Sequence, residues 1–380
     1  MKVATPDILT NHNRQMGSGR GLASRPQDMN RLVIGAPDKT NILLRLIEQD
    51  VEDGFLLIDP TGQLAEHTAN IIPKDRTEDV FYLDPSDLAF PSGFNVLDGV
   101  CPDDKPLLVE NICSYFEAMF PNGWGAQSNY ILANCLRILL DTPGSTILGV
   151  LRLLKDDDYR SRCIANCHDP IARANWDIIN AWDTKQYQSA VAPLLNKVAT
   201  ILMSPSIRNI LCQTHSTFSL SKNKIVIANL DRAKVGDLSA RLLGGLLLMR
   251  STGRVYVTDL AFFASDHFAS FLSQDRFTVS VDFLDQLPRK LALSLQAIEN
   301  KYVLKTNYDD AKTLSFYVGV MNPRQLTELS PEEVYTSRGI FEPTPPPFLP
   351  RLAAIRRRSR ACHTRPRHLV EAAISHFLVE

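Results

Sequence analysis

The chain has 380 residues, 44% of them apolar and 22% charged, which is the composition of a folded globular protein and excludes disorder, collagen-like repeats and one small domain. Its formal net charge is −1, so the bulk electrostatics announce neither a nucleic-acid coat nor a membrane surface. Seven scattered Cys argue against a disulfide framework, and no apolar run approaches the roughly 18 residues of a bilayer span, so a reduced, cytoplasmic protein is expected.

Residues 1–30 are rich in Gly, Asn, Arg and Ser without a period and read as a flexible N-terminal arm. The GSGRG at Gly17 follows no strand, so it lacks the strand–turn–helix context of a phosphate loop. From Arg31 a short apolar strand, the turn GAPDKT, an apolar-periodic helix and a second strand, FLLIDP, form a βαβ unit; DVFYLDP adds another strand. This stretch, 31–101, is the first part of an α/β core. Residues 102–215 carry helical periods with scarcely a strand among them, an inserted all-α domain. Strand patterns return in KIVIANL, RVYVTDL, FTVSVDFL and KYVLKT, so 216–335 is the second part of the core. Residues 336–380 read as a Pro-rich linker and a basic C-terminal tail, since Arg351 to His368 holds seven Arg and no acid.

Gly35-Ala-Pro-Asp-Lys39-Thr40 stands where a nucleoside-triphosphate loop would stand, between a strand and a helix. In such a loop, backbone N–H groups wrap the phosphates, Lys reaches the terminal phosphates and Thr binds magnesium. The full pattern G-x-x-x-x-G-K-[ST] is not met: two residues are missing, and Asp38 replaces the last Gly. A carboxylate beside polyphosphate is repulsive, and the lost residues are lost donors. The second element of such a site is a strand-end Asp for magnesium followed by Glu to polarise water. VYVTDL supplies Asp259 but places Leu260 next, which cannot take a proton. On the residues alone, GAPDKT is a βα turn and Asp259 a helix-capping strand end.

Read in order, the pieces resemble the FtsK/HerA-type DNA-translocating ATPases, most closely the conjugative coupling proteins of type IV secretion (TraG/TraD type). The matching stretches are VIG...KTNILLRLIEQDVEDGFLLIDPTGQLAEHTANIIP, DVFYLDPSDLAFPSGFNVLDG, the GWG at Gly123 to Gly125, LLNKVATILMSPSIRNILCQ, KIVIANLDRAKVGDLSARLLGGLLL and YVTDLAFFASDHFASFLSQDR, over roughly residues 31 to 335. The resemblance implies an α/β fold: a RecA-like P-loop core with a central, mainly parallel sheet and an inserted all-α domain. It assigns nucleotide contacts to Gly35, Lys39, Thr40, Asp59, Asp259 and Arg276, with Thr40 and Asp259 as the Mg2+ ligands if ATP binds. Gln286 is a candidate for the family's sensor Gln, or a surface residue at a helix start. The family's amino-terminal transmembrane helices are missing from the pattern, so no transmembrane segment is expected.

Three readings follow. The first is a degenerate subunit, impaired or inactive as an ATPase, with a structural, regulatory or DNA-binding role. The second is an active ATP-dependent DNA translocase in which Asp266 or Asp282 replaces the missing Glu. The third is a non-motor partner that joins an intact ATPase paralogue and lends Arg276 in trans. DNA is an expected partner through Arg356, Arg357, Arg358 and Arg360, against a solvated tail or a docked amphipathic helix formed by HLVEAAISHFL. A homo-oligomeric ring or a hetero-oligomer with that paralogue is the expected assembly. Trp124, Trp176 and Trp182 read as core of the helical module, and Cys163, Cys167 and His168 lack the spacing of a metal site.

Overall fold

The computed structural model describes residues 29–379, so Gly17 and all but the last two residues of the expected arm lie outside the described residues. The chain opens with β1 (Arg31–Ile34), α1 (Thr40–Asp50), β2 (Phe55–Asp59), α2 (Gln63–Ala69) and β3 (Val80–Leu83). Seven helices come next: α3 (Lys105–Met119), α4 (Ala126–Asp141), α5 (Gly149–Leu153), α6 (Asp157–Asn166), α7 (Pro170–Asn180), α8 (Thr184–Leu202) and α9 (Pro205–Leu211). The α/β pattern then resumes with β4 (Ile225–Asn229), α10 (Arg232–Val235), α11 (Asp237–Arg250), β5 (Arg254–Val257), α12 (Leu260–Phe263), α13 (Phe268–Phe271) and β6 (Phe277–Val281). It ends with α14 (Arg289–Gln296), β7 (Asn300–Val303), α15 (Tyr308–Val318), α16 (Arg324–Thr327), β8 (Val334–Thr336), β9 (Gly339–Phe341), α17 (Leu352–His363) and α18 (Arg367–Val379).

The strands form one nine-stranded sheet in the order β3-β4-β2-β5-β6-β1-β7-β8-β9. It is parallel from β3 to β7 and antiparallel at β8 and β9. Every residue of β1 to β6 is buried, as expected of parallel strands covered on both faces. On one face, Val33, Leu57, Tyr82 and Ile227 pack with Ile42, Leu46 and Leu64 of α1 and α2. On the other, Leu32, Ile58, Leu83 and Val257 share a core with α11 and the helical insertion, whose Trp176 is fully buried and donates Nε1–H to Asn134 O at 3.3 Å. The insertion interrupts the crossover between the neighbouring strands β3 and β4, so it leaves the strand order of the core intact.

This is the expected RecA-like α/β fold with a mainly parallel sheet and an all-α insertion. Two features differ from the sequence expectation. The sheet runs on past residue 335 through β9, and the Arg-rich segment is no free tail: α17 packs on β3 and α2, and α18 on α9. Their apolar sides are the reason, since Ile355, Val370 and Ile374 are almost completely removed from solvent. No single helix among the described residues is long and apolar enough to cross a membrane; α8 and α9 pass that test only together, across a bend of 101°.

Candidate functional site

Parallel strands place their carboxyl ends along one edge, and that edge gathers most of the sequence-predicted residues. Pairing of Ile34 with Val281 and of Ile58 with Val257 brings the loop after β1 level with Asp59, Asp259 and Asp282. Gly35 has φ of +118°, and a Cβ there would sit 2.7 Å from Lys305 O and 2.8 Å from Leu304 O. The glycine is therefore required by the close passage of the chain leaving β7, whatever the loop binds.

The hydrogen bonds of the loop are turned inward. Gly35 N–H donates to Val281 O at 3.2 Å and Ala36 N–H to Lys305 O at 2.9 Å, while Pro37 has no N–H to offer. Thr40 N–H, at the start of α1, donates to Asp38 Oδ1 at 2.8 Å. That carboxylate occupies the helix terminus where a phosphate oxygen would be received. Lys39 Nζ donates to Gly35 O at 3.1 Å and pairs with Asp282, which stands directly at the end of β6.

Asp259 follows β5 in the left-handed backbone region, with φ of +48°, a conformation in which Asp is among the tolerated residues. Its side chain does not cap α12; it lies 3.7 Å from Arg232. Burial raises its pKa above the ordinary carboxylate value; Asp282 pushes the same way, and Arg232 and Lys39 oppose the shift. Four charged groups thus neutralise one another at this edge. Leu260 is fully buried, and Asp266 is exposed on the loop after α12.

The remaining candidates are not brought to the loop. Asp59 has no exposed surface, and both its oxygens are taken: Oδ1 by Thr61 N–H and Oγ1–H and by Thr258 Oγ1–H, Oδ2 by Ala65 N–H at 2.9 Å. Gln286 lies in a 3-10 turn four residues beyond Asp282 and folds back so that its Oε1 accepts Phe283 N–H at 3.3 Å. The residue at the end of the β6 strand is Asp282, because the strand stops at Val281. Arg276 precedes β6, on the amino edge of the sheet, and within this chain it faces away from the loop. There it donates to Gly253 O at 2.9 Å and to Gln274 Oε1 at 2.8 Å, and it makes no ion pair among the described residues.

On α17, Arg356 reaches Glu66 at 3.0 Å and Asp84 at 3.9 Å, Arg358 reaches Glu78 at 3.7 Å, and Arg360 holds Asp87 at 2.6 Å. Arg357 is exposed. Sequence reasoning missed Arg232, and nothing in the sequence pairs it with Asp259. The role of Asp38 was accessible, since Asp ahead of an apolar helical run is a helix-start signature.

No protein-family model matches the chain, and no curated protein matches it by sequence. Solved structures do. The bacterial conjugative coupling protein TrwBdeltaN70, in an unbound form, superposes with a TM-score of 0.55 at 13% identity, covering 85% of this chain and 86% of that one. The plasmid coupling protein TrwB in complex with the non-hydrolysable ATP analogue ADPNP gives 0.52 at 14% identity, with coverage of 85% and 86%. VirB4 of Thermoanaerobacter pseudethanolicus gives 0.49 at 11% identity over 83% and 88%. The fold of this chain is that of the conjugative coupling proteins.

Proposed function

We propose that, on the scaffold of a conjugative coupling protein, this chain serves as a subunit that does not hydrolyse ATP and acts as a structural or regulatory component of a conjugation- or DNA-translocation-type assembly. The observation that carries the reading is the inward-bonded loop. Asp38 fills the helix terminus, Lys39 is engaged by Gly35 and Asp282, and the backbone N–H groups of Gly35, Ala36 and Thr40 are all bonded within the protein itself.

ATP and Mg2+ do not fit these residues as they stand. A triphosphate at the loop would meet the Asp38 carboxylate, a repulsion on the order of a few kcal/mol at contact distance near a protein surface. A Mg2+ ion held by Thr40 and Asp259 would have to displace Arg232 and tolerate a carboxyl whose ionisation burial already opposes. Loss of a water-polarising base at Leu260 costs a further factor of about 10² to 10⁴ in rate.

The test is binding of a fluorescent ATP analogue and steady-state hydrolysis by purified protein, with and without DNA, beside Lys39→Ala. No saturable binding and no turnover above background are expected in either protein. DNA-stimulated turnover that Lys39→Ala abolishes would establish the active translocase instead.

A second reading is favoured by Arg276. It is half-buried at the amino edge with no ion-pair partner among the described residues, which suits an arginine offered to a neighbouring subunit's phosphates. In this form the chain joins an intact ATPase paralogue in a mixed ring. Arg276→Gln would then lower the partner's turnover without altering assembly.

A further inference from the structure

The docking of α17 needs little from its arginines. Ile355 and Ser359, 1% and 2% exposed, face the core; Ser359 Oγ accepts Tyr82 N–H at 2.9 Å on the edge strand β3. Asn70 Oδ1 accepts the N–H groups of Arg351 and Leu352, each at 3.0 Å. At the last residue of the helix, His363 O accepts Thr217 Oγ1–H at 2.6 Å. The cationic row is thus surplus to anchoring.

That row lines a cleft. Between α17 and the loop running from Asp84 to Ser92 lies a hollow of about 520 Å³, with Arg356, Arg357 and Arg360 on one wall and Asp84 and Asp87 on the other. Two guanidiniums stand over aromatic rings, Arg356 4.9 Å from the Tyr82 centroid and Arg360 4.6 Å from that of Phe90. Arg357 is exposed and bonds to nothing among the described residues.

We propose that this cleft binds the backbone of a single nucleic-acid strand, with Arg357 as the first phosphate contact and Asp84 and Asp87 as internal counter-ions that a phosphate displaces. The proposal rests on the reading that the assembly handles DNA, and it adds the place, the strandedness and the gate. Partly exposed ion pairs are weak, so a phosphate oxygen that accepts the two N–H donors Arg360 now gives to Asp87 Oδ2 can replace that carboxylate. Guanidiniums held over Tyr82 and Phe90 are groups against which an unpaired base can stack and a paired one cannot. The hollow is an open groove with cations along one wall, which suits a single extended strand.

Fluorescence anisotropy of a labelled oligothymidylate of about 12 nucleotides, within the span one small binding fold covers, tests the idea on the full chain across a salt series. Arg357→Gln is expected to weaken binding about fivefold and to flatten the salt dependence by about 0.7 in log–log slope, one single-strand phosphate contact. Asp87→Asn is expected to do the reverse, tightening binding about fivefold as Arg360 is released. Because Asp87→Asn also removes an ion pair between α17 and the facing loop, Asp84→Asn and the thermal midpoint of each variant serve as controls; tightening in both variants with unchanged midpoints supports the gate. Binding indifferent to all three substitutions overturns the site, and equal competition by a duplex of the same length overturns the single-strand assignment. Nucleotide turnover, measured separately, decides the non-hydrolysing reading, which survives failure here.

Discussion

The two edges of the sheet carry charge in opposite ways. At the amino edge, Asp50 is 4% exposed and receives Arg31 at 2.7 Å, Arg254 at 3.2 Å and Tyr256 Oη–H at 2.5 Å. At the carboxyl edge, Lys39, Asp282, Asp259 and Arg232 form a looser, partly wet set, with the Asp282 side chain 48% exposed. The first network is buried and fully bonded, so every member depends on the others. The second sits where solvent already screens it, and its evident effect is to satisfy a loop that would otherwise present donors to a ligand. Charge at the amino edge supports the fold, whereas at the carboxyl edge it ties the loop after β1 to the protein itself.

The sharpest way to break that contrast is Asp50→Ala, which leaves two arginines buried without a carboxylate. A loss of about 3 to 5 kcal/mol is expected, read as a large drop in the thermal midpoint by circular dichroism. A loss below about 1 kcal/mol would make the two edges equivalent.

Asp282→Asn is the matching change at the other edge. Lys39 keeps Gly35 O as a partner, so stability should fall by less than about 1 kcal/mol in the same assay. A loss comparable to that of Asp50→Ala would mean that the loop pair supports the fold after all.

The smallest effect is one of pH. Burial raises the folded pKa of Asp259, so the folded state binds its proton more tightly than the unfolded chain does. Stability is therefore undiminished below the unfolded carboxylate value of about 3.9, and it falls as pH rises from there through the folded pKa. Asp259→Asn removes that penalty, so the variant should melt slightly higher than the parent at pH 7 and equally with it below about pH 4. A variant that melts lower at pH 7 would show that the Arg232 contact outweighs burial.

Much of the scaffold was legible in the residues. Short apolar runs separated by amphipathic helices predict buried parallel strands, and the long stretch of helical period predicts the insertion, because both patterns follow from local geometry. The missing glycine and the leucine after Asp259 were legible for the same reason: they sit within a few residues of the motif they interrupt. The Arg-rich segment was read chiefly through its charge, yet it folds back because Ile355, Val370 and Ile374 find apolar surface there. The end of β6 was also out of reach: the sequence offered Gln286 either as the family's strand-end Gln or as a surface residue at a helix start, and the strand stops at Val281.

From its order of elements the chain alone determined an α/β core with a parallel sheet, a helical insertion and a βα turn at Gly35 to Thr40 that departs from the phosphate-loop pattern; the resemblance added the RecA-like reading. Only the tertiary structure decided what fills that loop and where the arginines lie. Lys39 meets Asp282 across 243 residues, and Arg360 meets Asp87 across 273. Pairings over such separations depend on strand order and helix docking, which set distances that no local period encodes.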